Sequence, residues 1–345
     1  MCPTPNVTIP HEPVGCGGTA PSPALELLDV ATAMPSKLRL RPGAVAPGDP
    51  CERTSGGPRY FFSSLLIAVS LLASACRGEI SPEQSLPEGI SVIDASGSER
   101  FFAAPATRVI SLVPSATETL RALGVDSVLV GRTDFDEQEW LAHLPSVGGG
   151  LDPNLEEIVA LSPDLVIRFH GQQASRTPAR LDELGITHVA VRPDRLRDVY
   201  AGAILLGRVT GADAAADSLV RALEAGLAEV SRRVLELPRL RTIYVLGGTP
   251  PWVAGPDTYI YEIIQLVGGD NAFEDLQSLY SAVSPEELRA REIDVVFVSE
   301  ASQFTTTLTP RARIVEIGSA LEMPGPHVVD AAWRIAELLH ATSLR

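Results

Sequence analysis

The chain has 345 residues, 45% of them hydrophobic, and a formal net charge of −15. That length and apolar content suit one two-lobed domain or two ordinary ones. The acidity argues against nucleic acid as a partner, because holding phosphates takes a clustered positive surface; it favours solubility and docking to a basic partner.

Residues 1–58 are rich in Pro and Gly and carry no sustained apolar period. They are expected to be spurious, with the true start downstream at Met34 or at a non-Met initiation codon, or else a disordered extension. Tyr60 to Ala75 is an apolar run with Arg53 and Arg59 before it. It is short for a membrane span, which needs about 20 apolar residues, and suits a signal-peptide core. Ala73, Ser74 and Ala75 lead into Cys76 and resemble the lipobox of bacterial lipoproteins, in which the cysteine is acylated and becomes the new N-terminus. Residues 59–75 are therefore expected to be a lipoprotein signal peptide and Cys76 the lipidation site. A buried helix ending in an ordinary cysteine is the alternative. Residues 76–105 read as a polar tether, with Pro82 and Pro87, and a leading segment. Past the signal, Cys76 is the one cysteine, which excludes an internal disulfide, a thiol enzyme and a cysteine-ligated zinc site.

From residue 106 short apolar strands alternate with helices. Strands are expected at 109–113, 128–130, 164–167 and 188–191, and helices at 114–123, 154–161 and 177–184. This order predicts a small parallel sheet covered by helices, an N-terminal lobe over 106–193. Residues 194–238 then read as bridging helices, 196–209 and 212–235. In the second, Leu219, Leu223, Leu227, Val230 and Val234 recur at helical spacing. A C-terminal lobe over 239–345 follows, with strands at 242–246 and 294–298 and helices at 259–267, 285–290 and 328–344. The fold class is α/β: two small lobes, each a mainly parallel sheet covered by helices, joined by a long rigid helix.

The lobes echo each other. Asn154-Leu-Glu-Glu-Ile158 leads to Asp164, and Ser284-Pro-Glu-Glu-Leu288 leads to Asp294 at the same spacing. Asn154 and Ser284 are good N-caps, Pro285 suits the first helical position, and Glu157 and Glu287 fall where a capping box needs an acid. Glu156 and Glu286 are left to project from the surface, or simply to complement the helix dipole.

From Arg108 to about Thr342 the chain resembles the type III, helical-backbone periplasmic solute-binding proteins of ABC importers, and most of all the cobalamin-binding ones. The match is carried by Arg108-Val-Ile-Ser-Leu-Val-Pro-Ser-Ala-Thr-Glu118, by Asn154 to Ile167, by Gly268-Gly-Asp-Asn271 and by Val283 to Leu288. The resemblance implies a ligand held between the lobes, little closure, monomeric action, and delivery to importer membrane subunits. It implies that Glu156 and Glu286, one per lobe, dock onto arginines of those subunits. It places Phe135, Phe169, His170, Trp252 and Tyr280 on loops facing the ligand, where each aromatic otherwise just plugs its own lobe. Asp134-Phe-Asp-Glu-Gln138 and Gly148-Gly-Gly150 depart from the cobalamin-binding pattern, which keeps haem or an iron–siderophore open as ligand, with Arg132 or Arg168 meeting its anionic groups.

No cofactor beyond the bound ligand is expected. His143, His170, His188, His327 and His340 lack metal-site spacing, and neither GxSxG, Walker loop nor GxGxxG occurs. Ser115 stands between a strand and a helix without a suggested base, so an enzyme is not expected. A surface receptor that binds a protein and no small ligand is the rival from another class.

Overall fold

Short β-branched runs followed by amphipathic helices can bury both faces of a sheet only when helices cover it. The computed structural model describes residues 89–171, 176–300, 302 and 304–344, and there the chain does this twice. The apolar run expected as a signal peptide, and Cys76, lie outside the described residues.

The first lobe opens with a hairpin, β1 (Ile90–Ile93) and β2 (Glu99–Phe102). Asp94 builds its turn. One carboxylate oxygen accepts the Ser96 and Ser98 N–H groups, and the other accepts Ala190 N–H at 2.9 Å, which fastens the hairpin to the sheet. The sheet follows as β3 (Val109–Ser111), α1 (Pro114–Ala122), β4 (Leu129–Gly131), α2 (Leu155–Leu161), β5 (Leu165–Phe169), α3 (Thr177–Glu183) and β6 (His188–Val191). Its strand order is β4-β3-β5-β6, all parallel.

Two helices form the bridge, α4 (Leu196–Thr210) and α5 (Asp213–Val234). Gly211 turns the chain between them at φ +75°, where a side chain would strain and would also meet the Pro105 ring. With 22 residues α5 is about 33 Å long. Its Ala216 is buried in the first lobe's core, while Leu223, Leu227, Val230 and Val234 are buried in the second's. One rigid element is thus shared by both cores.

The second lobe comprises β7 (Leu240–Gly247), β8 (Trp252–Ala254), α6 (Tyr259–Leu266), β9 (Gly269–Asn271), β10 (Tyr280–Ala282), α7 (Pro285–Ala290), β11 (Val295–Val298), β12 (Arg313–Glu316) and α8 (Val328–His340). The sheet runs β10-β8-β7-β11-β12, with β9 also on β7. β7, β9, β11 and β12 are parallel, and β8 runs antiparallel to both β7 and β10.

The internal echo has a structural counterpart. The Asp164 carboxylate accepts Arg108 N–H at 3.0 Å, and Asp164 N–H donates to Arg108 C=O at 2.9 Å. Asp294 does the same to Arg241, at 2.8 Å in each direction. Each Asp pins the start of its own strand to the start of a parallel neighbour, β5 to β3 and β11 to β7.

Some bounds differ from the sequence reading. The closing helix stops at His340, where Ala341 turns left-handed and Thr342 N–H returns to Glu337 C=O. Strand β3 ends at Ser111, and β4 begins only after a tight turn at Asp126–Val128. Strands β1, β2, β8, β9, β10 and β12 carry no long apolar run and were not anticipated.

Candidate functional site

The carboxyl ends of parallel strands are where open α/β sheets present their loops to ligands. Here such loops from both lobes meet. Ser115, just past β3, packs so closely on Gly325 that an added Cβ there would lie 3.3 Å from the Ser115 C=O. His327, beside it, reaches the Glu118 carboxylate of α1 at 3.4 Å. Past β6, Asp194 C=O accepts Tyr259 N–H, Arg195 pairs with Asp257, and Leu196 N–H donates to Glu262 at 2.7 Å.

The five expected ligand residues fall as follows. Phe169 ends β5 half-buried against the first lobe's core, and His170 N–H donates to Val191 C=O at 2.8 Å. Tyr280 opens β10 half-buried against the second lobe's core, opposite Ala254 of β8. Trp252 pairs with Gly247 at the carboxyl end of β7 and is half-buried. Phe135 follows β4 and is 48% exposed, an unusual outlay for a phenyl ring. Burial pushes the Asp194 carboxyl up, against the pull of Arg192 at 2.6 Å. A hollow of about 500 Å³ opens beside Asp194, between the hairpin and α4, walled by Ile93, Val191, Asp198 and Leu205; none of the five lines it.

Arg132 and Arg168 both turn into the protein. Arg168 is 5% exposed; its Nε donates to His188 Nδ1 at 3.1 Å and its Nη1 to Phe169 C=O at 3.4 Å. Arg132 Nη1 donates to the Thr133 and Asp136 carbonyls at 3.0 and 3.4 Å.

Glu156 and Glu286 occupy matching positions at two helix starts, and both are exposed. Asn154 caps α2 by accepting the Glu156 and Glu157 N–H groups. Ser284 and Glu287 close a reciprocal capping box on α7, and the Ser284 bonds hold the Glu287 carboxyl below its ordinary pKa. The capping box expected on both helices is formed on α7; on α2 the Asn154 side chain caps alone. Glu286 lies 3.7 Å from Arg289, one turn on, and its side chain is 80% exposed.

A family model for periplasmic binding proteins matches residues 109–309, more than half of the chain. The chain belongs to the periplasmic binding protein family. It is a solute-binding protein and not an enzyme. A cobalamin-binding protein of Halobacterium salinarum is 26% identical over 318 residues, spanning 82% of this chain and 85% of its own. The periplasmic vitamin B12 binding protein BtuF of Vibrio cholerae superposes with a TM-score of 0.60 at 24% identity, covering 68% of this chain and 97% of its own. The periplasmic haem-binding protein HutB of the same species gives 0.61 at 21% identity, covering 68% and 99%. The two structures establish likeness of fold.

Within this periplasmic binding protein, several buried polar groups of the second lobe escaped sequence reasoning. Tyr244 is fully buried and donates to Glu322 at 3.3 Å, and the Tyr259 hydroxyl donates to Leu321 C=O. Burial pushes the phenols of Tyr244, Tyr259 and Tyr280 well up, so all three stay neutral donors. Tyr244 sits inside an apolar strand and reads as core; Asp194 sits in the charged stretch Arg192–Asp198 and reads as solvated.

Proposed function

We propose that this protein is a lipid-anchored solute-binding component of an ABC importer, capturing cobalamin or a related corrinoid between its lobes and delivering it to the membrane subunits. The observation that carries the ligand is the inward commitment of Arg132 and Arg168. A carboxylate-rimmed ligand would call for free guanidinium groups at those loops. An amide-rimmed corrin calls for aromatic and apolar walls with a few polar contacts, supplied in this reading by Phe135, Phe169, Trp252 and Tyr280 with His170. The likeness to a cobalamin-binding protein over 82% of the chain supports the same choice.

An iron–siderophore or haem ligand is the second reading, and Arg176 favours it. That residue is exposed at the start of α3, a few positions after His170, where a cation would meet an anionic group. Equilibrium binding of cyanocobalamin separates the two. Trp252→Ala and Tyr280→Ala should each weaken it by about tenfold or more, as buried aromatic anchors do, and Arg176→Ala should leave it unchanged. Sensitivity to Arg176 alone would move the ligand to the anionic class.

Delivery is assigned to Glu156 and Glu286, two exposed charges, one on each lobe. Anchoring is assigned to Cys76, and Cys76→Ser should release the protein from the membrane fraction. The protein is taken to act as a monomer.

A further inference from the structure

We propose that Asp136 is a positioning residue for ligand capture: its buried carboxylate bolts the turn that holds Phe135 outward. This rests on the reading of Phe135 as a ligand contact.

The turn after β4 is inverted relative to ordinary loops. Thr133 and Asp136 are buried while Phe135, between them, is exposed. Asp136 is 1% exposed. One of its oxygens accepts both the Thr133 N–H at 2.9 Å and the Thr133 hydroxyl at 2.7 Å. Thr133 Oγ1 in turn accepts Phe135 N–H at 3.3 Å, and Arg132 ties down the carbonyls of Thr133 and Asp136. Asp134 fastens the outer side, its N–H donating to Gly148 C=O at 3.0 Å and its carboxylate accepting the Ser146 hydroxyl. Together these bonds fix the backbone from 132 to 136, and so the site from which Phe135 projects. A phenyl ring left to the hydrophobic effect would bury itself; this one is held at 48% exposure by a carboxylate that is itself buried.

Three buried atoms of the same turn have no protein partner: Arg132 Nε, Asp136 Oδ1 and Gln138 Oε1. A buried carboxylate oxygen without a donor is costly.

The test uses the full-length chain. Residue-resolved amide exchange should speed up by about tenfold or more at Thr133 and Phe135 in Asp136→Asn, with β7 amides unchanged. Thr133→Val gives the same readout should Asp136→Asn fail to fold. Cyanocobalamin affinity should fall by about threefold to tenfold in Asp136→Asn, with no further loss when Phe135→Ala is already present. Unaltered exchange at both amides, or an equal loss in the Phe135→Ala background, would overturn the positioning role. Should the native chain bind neither cyanocobalamin, haemin nor ferrichrome, the ligand reading and with it the capture role fail, while exchange at Thr133 still decides whether Asp136 bolts the turn.

Discussion

At the scale of single residues, His188 shows how burial sets a protonation state. Arg168 Nε donates to its Nδ1, so the proton sits on Nε2 and meets Asp182 at 3.1 Å. Burial first, then the charges of Arg168 and Arg100, hold the ring below its ordinary pKa of 6.5, outweighing Asp182. The unfolded chain therefore takes up this proton before the folded one. The contribution is complete above about pH 6.5 and is lost as pH falls from there towards the depressed folded value. His188→Gln should flatten that part of the profile, seen as a smaller drop in Tm between about pH 7 and pH 5; an unchanged drop would place the titration elsewhere. Gly150 is a second case. A Cβ there would lie 2.3 Å from the Leu112 carbonyl, so Gly150→Ala should cost about 1–3 kcal/mol in thermal unfolding. The run Gly148-Gly-Gly150 looked like a departure from a family pattern; its last glycine is needed because the loop lies against the end of β3. Phe169 and Tyr280 were expected on loops, but they are the last residue of β5 and the first of β10, because strand pairing extends past the apolar runs that sequence shows. Asp194 was not legible as a candidate, because it sits in a charged stretch that reads as solvated, yet burial raises its carboxyl.

At the scale of elements, local signals decided what could be read. Helices α2 and α7 announced themselves through Asn154 and Ser284, and α7 forms over the expected residues with its capping box closed. Ser284→Ala should cost about 1 kcal/mol, measured by denaturant unfolding, because it leaves Glu287 N–H unpaired. Asn154→Ala should cost at least as much, since that side chain caps α2 alone. Strands β8 and β10 carry three residues each and owe their existence to pairing with β7 and with each other. Pairing of that kind is set by the fold, so no window of sequence contains it. The hairpin β1–β2 belongs to the same class: its anchor is the bond from Ala190 N–H to Asp94, nearly a hundred residues apart.

At the scale of the molecule, α5 is the element that makes two lobes one body. It gives Ala216 to one core and Leu223 to Val234 to the other, so the lobes hinge less freely than on a loop. A rigid frame of this kind keeps Glu156 and Glu286 at a set separation, which suits recognition by a transporter. Glu156→Ala with Glu286→Ala should abolish ligand transfer to the importer, followed by uptake in cells, and leave ligand affinity intact; unchanged uptake would remove the docking assignment. The layout of lobe, bridge and lobe was legible because strand–helix alternation breaks off at Leu196 and resumes past Pro238. The ligand was not, because it depends on where arginine side chains turn. Calorimetric titration of the protein with cyanocobalamin, alongside haemin and a ferric siderophore, tests the central claim most directly. Submicromolar binding of cyanocobalamin alone is the predicted result. Tight binding of an iron complex without any binding of cyanocobalamin would contradict it.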